Sequence, residues 1–188
     1  MQRRAVTMRN RGDTIIEVLL AVTIFSLVAI GSMVLMNRGV AMAQQSLETT
    51  LVRQQIDAQA EMLRFVHDQA RADIDIYKDL WENDVNITTV VKEIAGTTEC
   101  STTKEPNAFT LYSDIVSKQI KVSSDYAPAE IYAKMDGDQA YGISIQLARA
   151  DGGRAYDAYI QACWDTPSSS MPMTTGTIVR LYDPEVTP

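Results

Sequence analysis

Residues 14–36, TIIEVLLAVTIFSLVAIGSMVLM, hold 23 positions and one ionisable side chain, Glu17. A run this apolar has to leave water, into a protein core or into lipid. As a helix rising 1.5 Å per residue it extends about 35 Å, enough for a bilayer hydrocarbon core of about 30 Å. Arg3, Arg4, Arg9 and Arg11 precede it, with no acid in residues 1–12. That asymmetry predicts a cytoplasmic amino end and a single span, with everything from Asn37 onward outside. The hydrophobic part of a removable secretory signal is shorter, about 7–15 residues, and ends at a small-residue site. Here the nearest such site, Ala41-Met42-Ala43, lies beyond Asn37-Arg38-Gly39. A buried helix of a soluble protein would not need to be so nearly free of charged residues.

The remaining chain is acidic. Beyond residue 12 there are 13 basic residues against 24 acidic ones. A body of that sign is poorly suited to duplex DNA, where phosphate neutralisation supplies much of the affinity, and no direct nucleic-acid partner is expected. With 188 residues, there is room for one domain besides a membrane segment. Cys100 and Cys163 fall in the external part, where a disulfide is permitted and two cysteines allow one connectivity. Their separation fits neither a redox CxxC pair nor a zinc ribbon; the alternative to a bridge is two buried thiols.

After Arg38 and Gly39 the helical pattern resumes. Leu47, Leu51, Ile56, Leu63, Val66, Ala70, Ile74, Tyr77 and Trp81 recur mostly at intervals of three, four or seven, one apolar stripe on a polar helix. Thr14 to Glu82 therefore reads as one long helix, with a bend expected near Gly31 or Gly39. Beyond Asn83 the period shortens. ECSTTKEPN reads as loop, and AFTLYS (108–113), QIKVS (119–123) and AEIYAKM (129–135) as short strands. YGISIQLAR and RAYDAYIQACW, joined through Ala150-Asp151-Gly152-Gly153, form a hairpin signal. PSSSMPMTTG (167–176) reads as a polar loop, and TIVRLYDP as a last strand. The fold class is α+β: a long amino-terminal helix, half membrane-spanning and half amphipathic, packed on a small antiparallel β-sheet.

The amino-terminal constellation is more specific. Arg11-Gly12, then Asp13-Thr14-Ile15-Ile16-Glu17-Val18-Leu19-Leu20-Ala21, then an unbroken apolar run, resembles the signal segment of type IV pilins and pseudopilins. The resemblance implies a basic leader (residues 1–12) cut after Gly12 by a membrane-embedded prepilin peptidase. Asp13 becomes the first mature residue, with possible N-methylation, and Glu17 becomes the family's glutamate at the fifth mature position. The family usually places an apolar residue where this chain has Asp13, whose carboxylate would partly neutralise the new amine. The resemblance further implies residues 13–36 as the filament-core helix, 37–82 as an amphipathic helix continuing into the head, and 83–188 as an extracytoplasmic β-rich head. Other pilin subunits, the peptidase, an inner-membrane assembly platform with its ATPase, and lipid before assembly are the implied partners. The implied role is a structural one, as a minor pilin or pseudopilin of a pilus-like or type II secretion-like filament. In many pilins a disulfide closes a carboxyl-terminal loop. Here Cys100 precedes the expected strands, so a bridge to Cys163 would tie the helix–sheet connection to the hairpin.

An intramembrane carboxylate is costly and normally functional. Glu17 lies near the positive end of its helix, which lowers that cost. Cleavage at Gly12 creates an amine about one turn away on every copy, so a neighbour's amine can meet it; otherwise Glu17 would reach to the cytoplasmic interface. Arg11 and Asp13 of the Arg-Gly-Asp triplet flank that cut, and in the uncut chain they lie at the cytoplasmic membrane face, where no external receptor would meet them.

No enzyme or cofactor site is expected. His67, the single histidine, reads as a helix-surface or interface residue. Met135-Asp136-Gly137-Asp138-Gln139 lacks a calcium loop's spacing and terminal glutamate and reads as a turn. Asn86-Ile87-Thr88 has the form of a glycosylation sequon by coincidence. Tyr112, Tyr126, Tyr132, Tyr141, Tyr156 and Tyr159 read as sheet packing. The rival from another class is a signal-anchored extracellular binding or sensor domain that does not polymerise; replacing Glu17 by Leu would leave that anchor unharmed.

Overall fold

The computed structural model describes residues 13–86, 100, 107–150, 155–166 and 171–182; of residues 13 and 14 it describes the backbone alone. The expected leader, the centre of the expected Ala150–Gly153 turn, residues 167–170 and most of the expected ECSTTKEPN loop and Asn86-Ile87-Thr88 sequon lie outside the described residues. The chain divides into two units, Met1–Gln44 and Gln45–Pro188.

Helix α1 runs Asp13–Arg71. Proline does not occur before residue 106, so nothing removes a helical hydrogen bond along its length. The bend expected at Gly31 or Gly39 is not a break in the helix, which is assigned without interruption through both. Its carboxyl end comes earlier than the apolar stripe suggests. Asp73 adopts φ +59°. Its N–H bonds to the carbonyl of Ala70 at 3.1 Å, and the Ile74 N–H bonds to the carbonyl of Gln69 at 3.2 Å. This pair of bonds around a left-handed residue is a Schellman stop. Asp fills the place glycine usually takes, being among the residues that tolerate the left-handed region, and its Oδ1 accepts a 2.7 Å bond from Lys78 Nζ.

A short helix α2 (Asp75–Asp79) and a π-helical stretch, Leu80–Val85, follow. Phe65 and Tyr77 meet edge to face at 5.3 Å, which packs α2 back against α1. Trp81, expected on the same straight stripe, instead reaches the core from this returning segment.

The head core is built on α1 residues Val52, Ile56, Ala60, Leu63 and Val66, all buried. Leu47 is exposed and Leu51 half-buried, the buried residue of that turn being Val52. Within that face sits a polar residue. Gln59 Nε2 donates to the Leu111 carbonyl at 2.7 Å, and its Oε1 accepts from the Leu111 N–H at 2.9 Å.

Strand β1 (Thr110–Asp114) pairs antiparallel with β2 (Gln119–Ser123). Just before β1, Phe109 exchanges both backbone bonds with Ile145, at 2.8 and 3.0 Å. Two residues on, the Gln59 amide takes the place of that strand neighbour. A second sheet has order β3-β5-β4, with β3 at Tyr126–Ala127, β4 at Lys134–Asp136 and β5 at Gln139–Tyr141. The β3–β5 pair is parallel, the others antiparallel. The expected turn at residues 135–139 is the β4–β5 connection, with Gly137 at φ +64°. Residues 129–135 do not form the single strand expected of them. Ala129 makes one bridge to Trp164, and the strand begins only at Lys134.

The third sheet has order β6-β7-β8: Ile143–Arg149, Ala155–Trp164 and Met173–Tyr182. The expected hairpin is β6–β7, in register from Ile143 opposite Ala162 to Arg149 opposite Tyr156. Burial alternates along β6 and β7, as it does for a sheet with one covered face. β8 starts at Met173 rather than after Gly176, so the second half of the expected 167–176 loop is strand, paired through Thr174 and Thr175 to Cys163 and Ala162.

Gly142 joins β5 to β6 at φ +65°. A Cβ there would lie 2.1 Å from the Cys163 carbonyl oxygen and 2.8 Å from the Ala129 Cβ. Its N–H bonds to Ala127 and its carbonyl accepts from Cys163, each at 2.8 Å. Only glycine allows the second and third sheets to approach this closely.

Replacing Gln59 by Leu keeps the volume but strands a buried N–H and carbonyl on Leu111. The expected cost is roughly 2–5 kcal/mol, read from the urea midpoint of the full chain in detergent by fluorescence of Trp81 and Trp164, both buried in the head.

Two carboxylates of the sheets are held in their charged form by hydrogen bonds. Hydrogen bonds from Lys121, Ser117 and the Val116 N–H hold Asp114 well below the usual carboxylate range. The two-bonded fork from Arg180, each bond 2.7 Å across β7 and β8, lowers Asp157. Carboxylates depressed in the folded state contribute stability above the unfolded value, about pH 4, and lose it as pH falls toward the folded value. Asp157→Asn is therefore expected to be less stable than the native chain at pH 7, with the gap closing below about pH 4 in the same urea assay.

Candidate functional site

The apolar segment of α1 has an outer surface of large hydrocarbon side chains. From Ile15 to Met36 they are exposed, Phe25 at 73% and Met36 at 72%. By length and composition α1 can cross a membrane. Its hydroxyls are dealt with internally: Thr23 donates to the Leu20 carbonyl, Ser26 to Val22 and Ser32 to Val28, each at 2.8 Å. Such back-bonding makes a hydroxyl compatible with an apolar surround. Glu17 is thereby left as the single ionisable side chain on this surface, exposed and close to the start of α1 at Asp13. Gly12 lies outside the described residues, and the side chain of Asp13 does too.

Two concavities of the head are lined by described residues alone. One, of about 440 Å³, is lined by His67, Ala70, Arg71, Asp73, Lys78, Trp81 and Glu82. Of the two places expected for His67, helix surface or interface, the structure has the second. His67 is buried, edge-on to Trp81 at 4.8 Å, and Trp81 in turn meets Tyr156 at 5.5 Å. The aromatic series ends on Arg149, 5.4 Å from the Tyr156 ring. At the rim, the hydrogen bond between Asp73 and Lys78 lowers the acid's pKa and raises the amine's. This is a packed polar groove, with no thiol beside the imidazole.

The other, of about 510 Å³, is lined by residues 127–132 with Lys134, Asp136 and Tyr141. The Lys134 amine stands 5.9 and 5.8 Å from the Tyr132 and Tyr141 ring centroids. Among the described residues no three His, Cys, Asp or Glu side chains are placed to hold a metal ion.

No family model, curated protein or solved structure matches this chain.

Cys100 and Cys163 are joined, with a Cα–Cα distance of 5.3 Å. Cys163 lies on β7 among the half-buried positions, on the face opposite Ala162 and Trp164. The bridge therefore ties the segment preceding β1 to the outer face of the third sheet, and neither sulfur is a free nucleophile. Sequence reasoning placed both cysteines but missed Gln59 and Gly142. Gln59 left a faint signal, a polar residue interrupting the apolar stripe. Gly142 left none, since a glycine before a strand is unexceptional.

The bridge closes a loop with a sequence separation of 63. Reduction is expected to lower head stability by about 4 kcal/mol on the loop-entropy estimate, read as a drop in the urea midpoint of the full chain with and without dithiothreitol.

Proposed function

We propose that this chain is a structural subunit, a minor pilin or pseudopilin, of a type IV pilus-like or type II secretion-like filament. The observation that carries the reading is the apolar helix itself. Its surface is hydrocarbon, its hydroxyls are bonded to its own backbone, and one carboxylate, Glu17, stands near its amino end.

In this reading the chain enters the inner membrane with its amino end inside and its head outside. Prepilin peptidase cuts after Gly12, and an assembly platform with its ATPase extracts the mature chain from lipid. In a bundle of such helices the Glu17 carboxylate of one subunit accepts the terminal amine of the next. A carboxylate left unpaired in that surround costs several kcal/mol, so the pair selects one axial stagger over its neighbours. Asp13 competes for the same amine within its own chain, which loosens the selection and disfavours methylation. The chain performs no chemistry; its product is an ordered lattice of heads.

The test is intact mass and amino-terminal sequencing from the native envelope, with Glu17→Leu alongside. The expected chain begins at Asp13, and Glu17→Leu is inserted and cut as usual but recovered in sheared filaments at least tenfold less. A native chain still beginning at Met1 where the peptidase is active would leave a signal-anchored surface domain instead.

A further inference from the structure

The β1–β2 hairpin ends in a loop with an unusual surface. Ile115 is 90% exposed and Val116 93%, more than any large apolar side chain of the membrane-length segment. The loop is held in shape by one carboxylate: Asp114 accepts from the Val116 N–H at 2.9 Å, from Ser117 Oγ at 2.8 Å, and from Lys121 Nζ. The Lys118 N–H closes it on the Asp114 carbonyl at 2.8 Å, with Lys118 at φ +54°. Two branched apolar side chains are thus displayed on a fixed turn, beside an exposed lysine. Adjacent exposed apolar residues on a fixed scaffold are the composition of a contact surface rather than of a solvent-facing loop.

The second concavity has the matching character. Pro128, Ile131, Tyr132 and Tyr141 give it apolar walls, and Ile131 is itself 59% exposed. Glu130 and Asp136, both exposed, outnumber its one cation, Lys134, which stands over the tyrosine rings. Tip and concavity lie apart on one head. The hairpin base is fixed next to the β4–β5 turn, where Ser123 Oγ donates to the Asp138 carbonyl. The tip stands five strand residues beyond it, roughly 15 Å, so a rigid hairpin does not fold back into its own groove.

We propose that Ile115 and Val116 of one copy dock in the groove walled by Pro128, Ile131, Tyr132 and Tyr141 of a second copy, with Lys118 facing Glu130. The two surfaces differ, so the contact is heterologous and repeats along a row of subunits instead of closing a pair. It deepens the filament reading, and rests on it, by giving the heads a contact of their own besides the helix bundle.

The test is cross-linking of full-length chains in the native envelope. A tagged chain carrying Val116→Cys is co-expressed with a longer-tagged chain carrying Ile131→Cys and treated with a short bismaleimide. A mixed product is expected, absent with either variant alone. Lys118→Glu in the first chain should reduce it at least fivefold, and Glu130→Lys in the second should restore it. No mixed product, a product mainly between two Val116→Cys chains, or one with a different protein overturns the contact. Filament formation is scored separately, by cleavage at Gly12 and recovery in the sheared fraction. Filaments without the cross-link refute the contact alone; the cross-link between uncut chains upholds it and refutes the filament.

Discussion

The head depends on a single side-chain amide. Gln59 gives the Leu111 peptide both of its hydrogen bonds at the point where β1 loses its neighbour on β6. Without that substitution, either the strand edge would need water in the core or α1 would have to withdraw. With it, the apolar positions of α1 from Val52 to Val66 are brought into one cluster with Leu111, Ile145 and Ile160. Elsewhere the architecture is completed by close backbone approach and covalent closure. Gly142 lets two sheets meet where a methyl group would collide, and the Cys100–Cys163 bridge holds the segment preceding β1 against β7. These constraints are local and polar or covalent, whereas the bulk of the stabilisation is ordinary apolar burial.

Much of this was legible in the sequence because periodicity reports burial. The membrane-length run, the stripe on α1, β2 and the β6–β7 hairpin all follow from spacing, and the α+β class with them. The misreadings have physical causes. The end of α1 was hidden because its left-handed stop uses Asp73, where a glycine would have marked it. For His67 the sequence leaves helix surface and interface both open, and the return of Trp81 over the ring decides for the interface. Residues 129–135 alternate like a strand, but Glu130, Ile131 and Tyr132 belong to a loop that walls the groove. The early start of β8 was masked by threonines and a glycine, residues common to both loops and strands. The candidate site divides in the same way. The position and isolation of Glu17 could be read directly, whereas the display of Ile115 and Val116 needed the Asp114 turn to be seen.

The two units follow different solvent logic. The head obeys the rules of a water-soluble domain, with alternating faces, paired surface charges and a disulfide. The apolar helix inverts those rules, with hydrocarbon outward and polar atoms turned onto its own backbone. Such a chain keeps its hydrocarbon surface and its charged, hydrogen-bonding surface on different units.

The back-bonded hydroxyls of Thr23, Ser26 and Ser32 carry a consequence of their own. A stretch of helix whose hydroxyls are bonded to its own backbone can exchange one apolar environment for another without making or breaking those bonds. Lipid tails and neighbouring helices are then nearly equivalent to it, and transfer between them is limited by packing and not by polarity. Glu17 is the exception between Ile15 and Met36, the one ionisable side chain there, and the group for which two apolar surrounds would differ most.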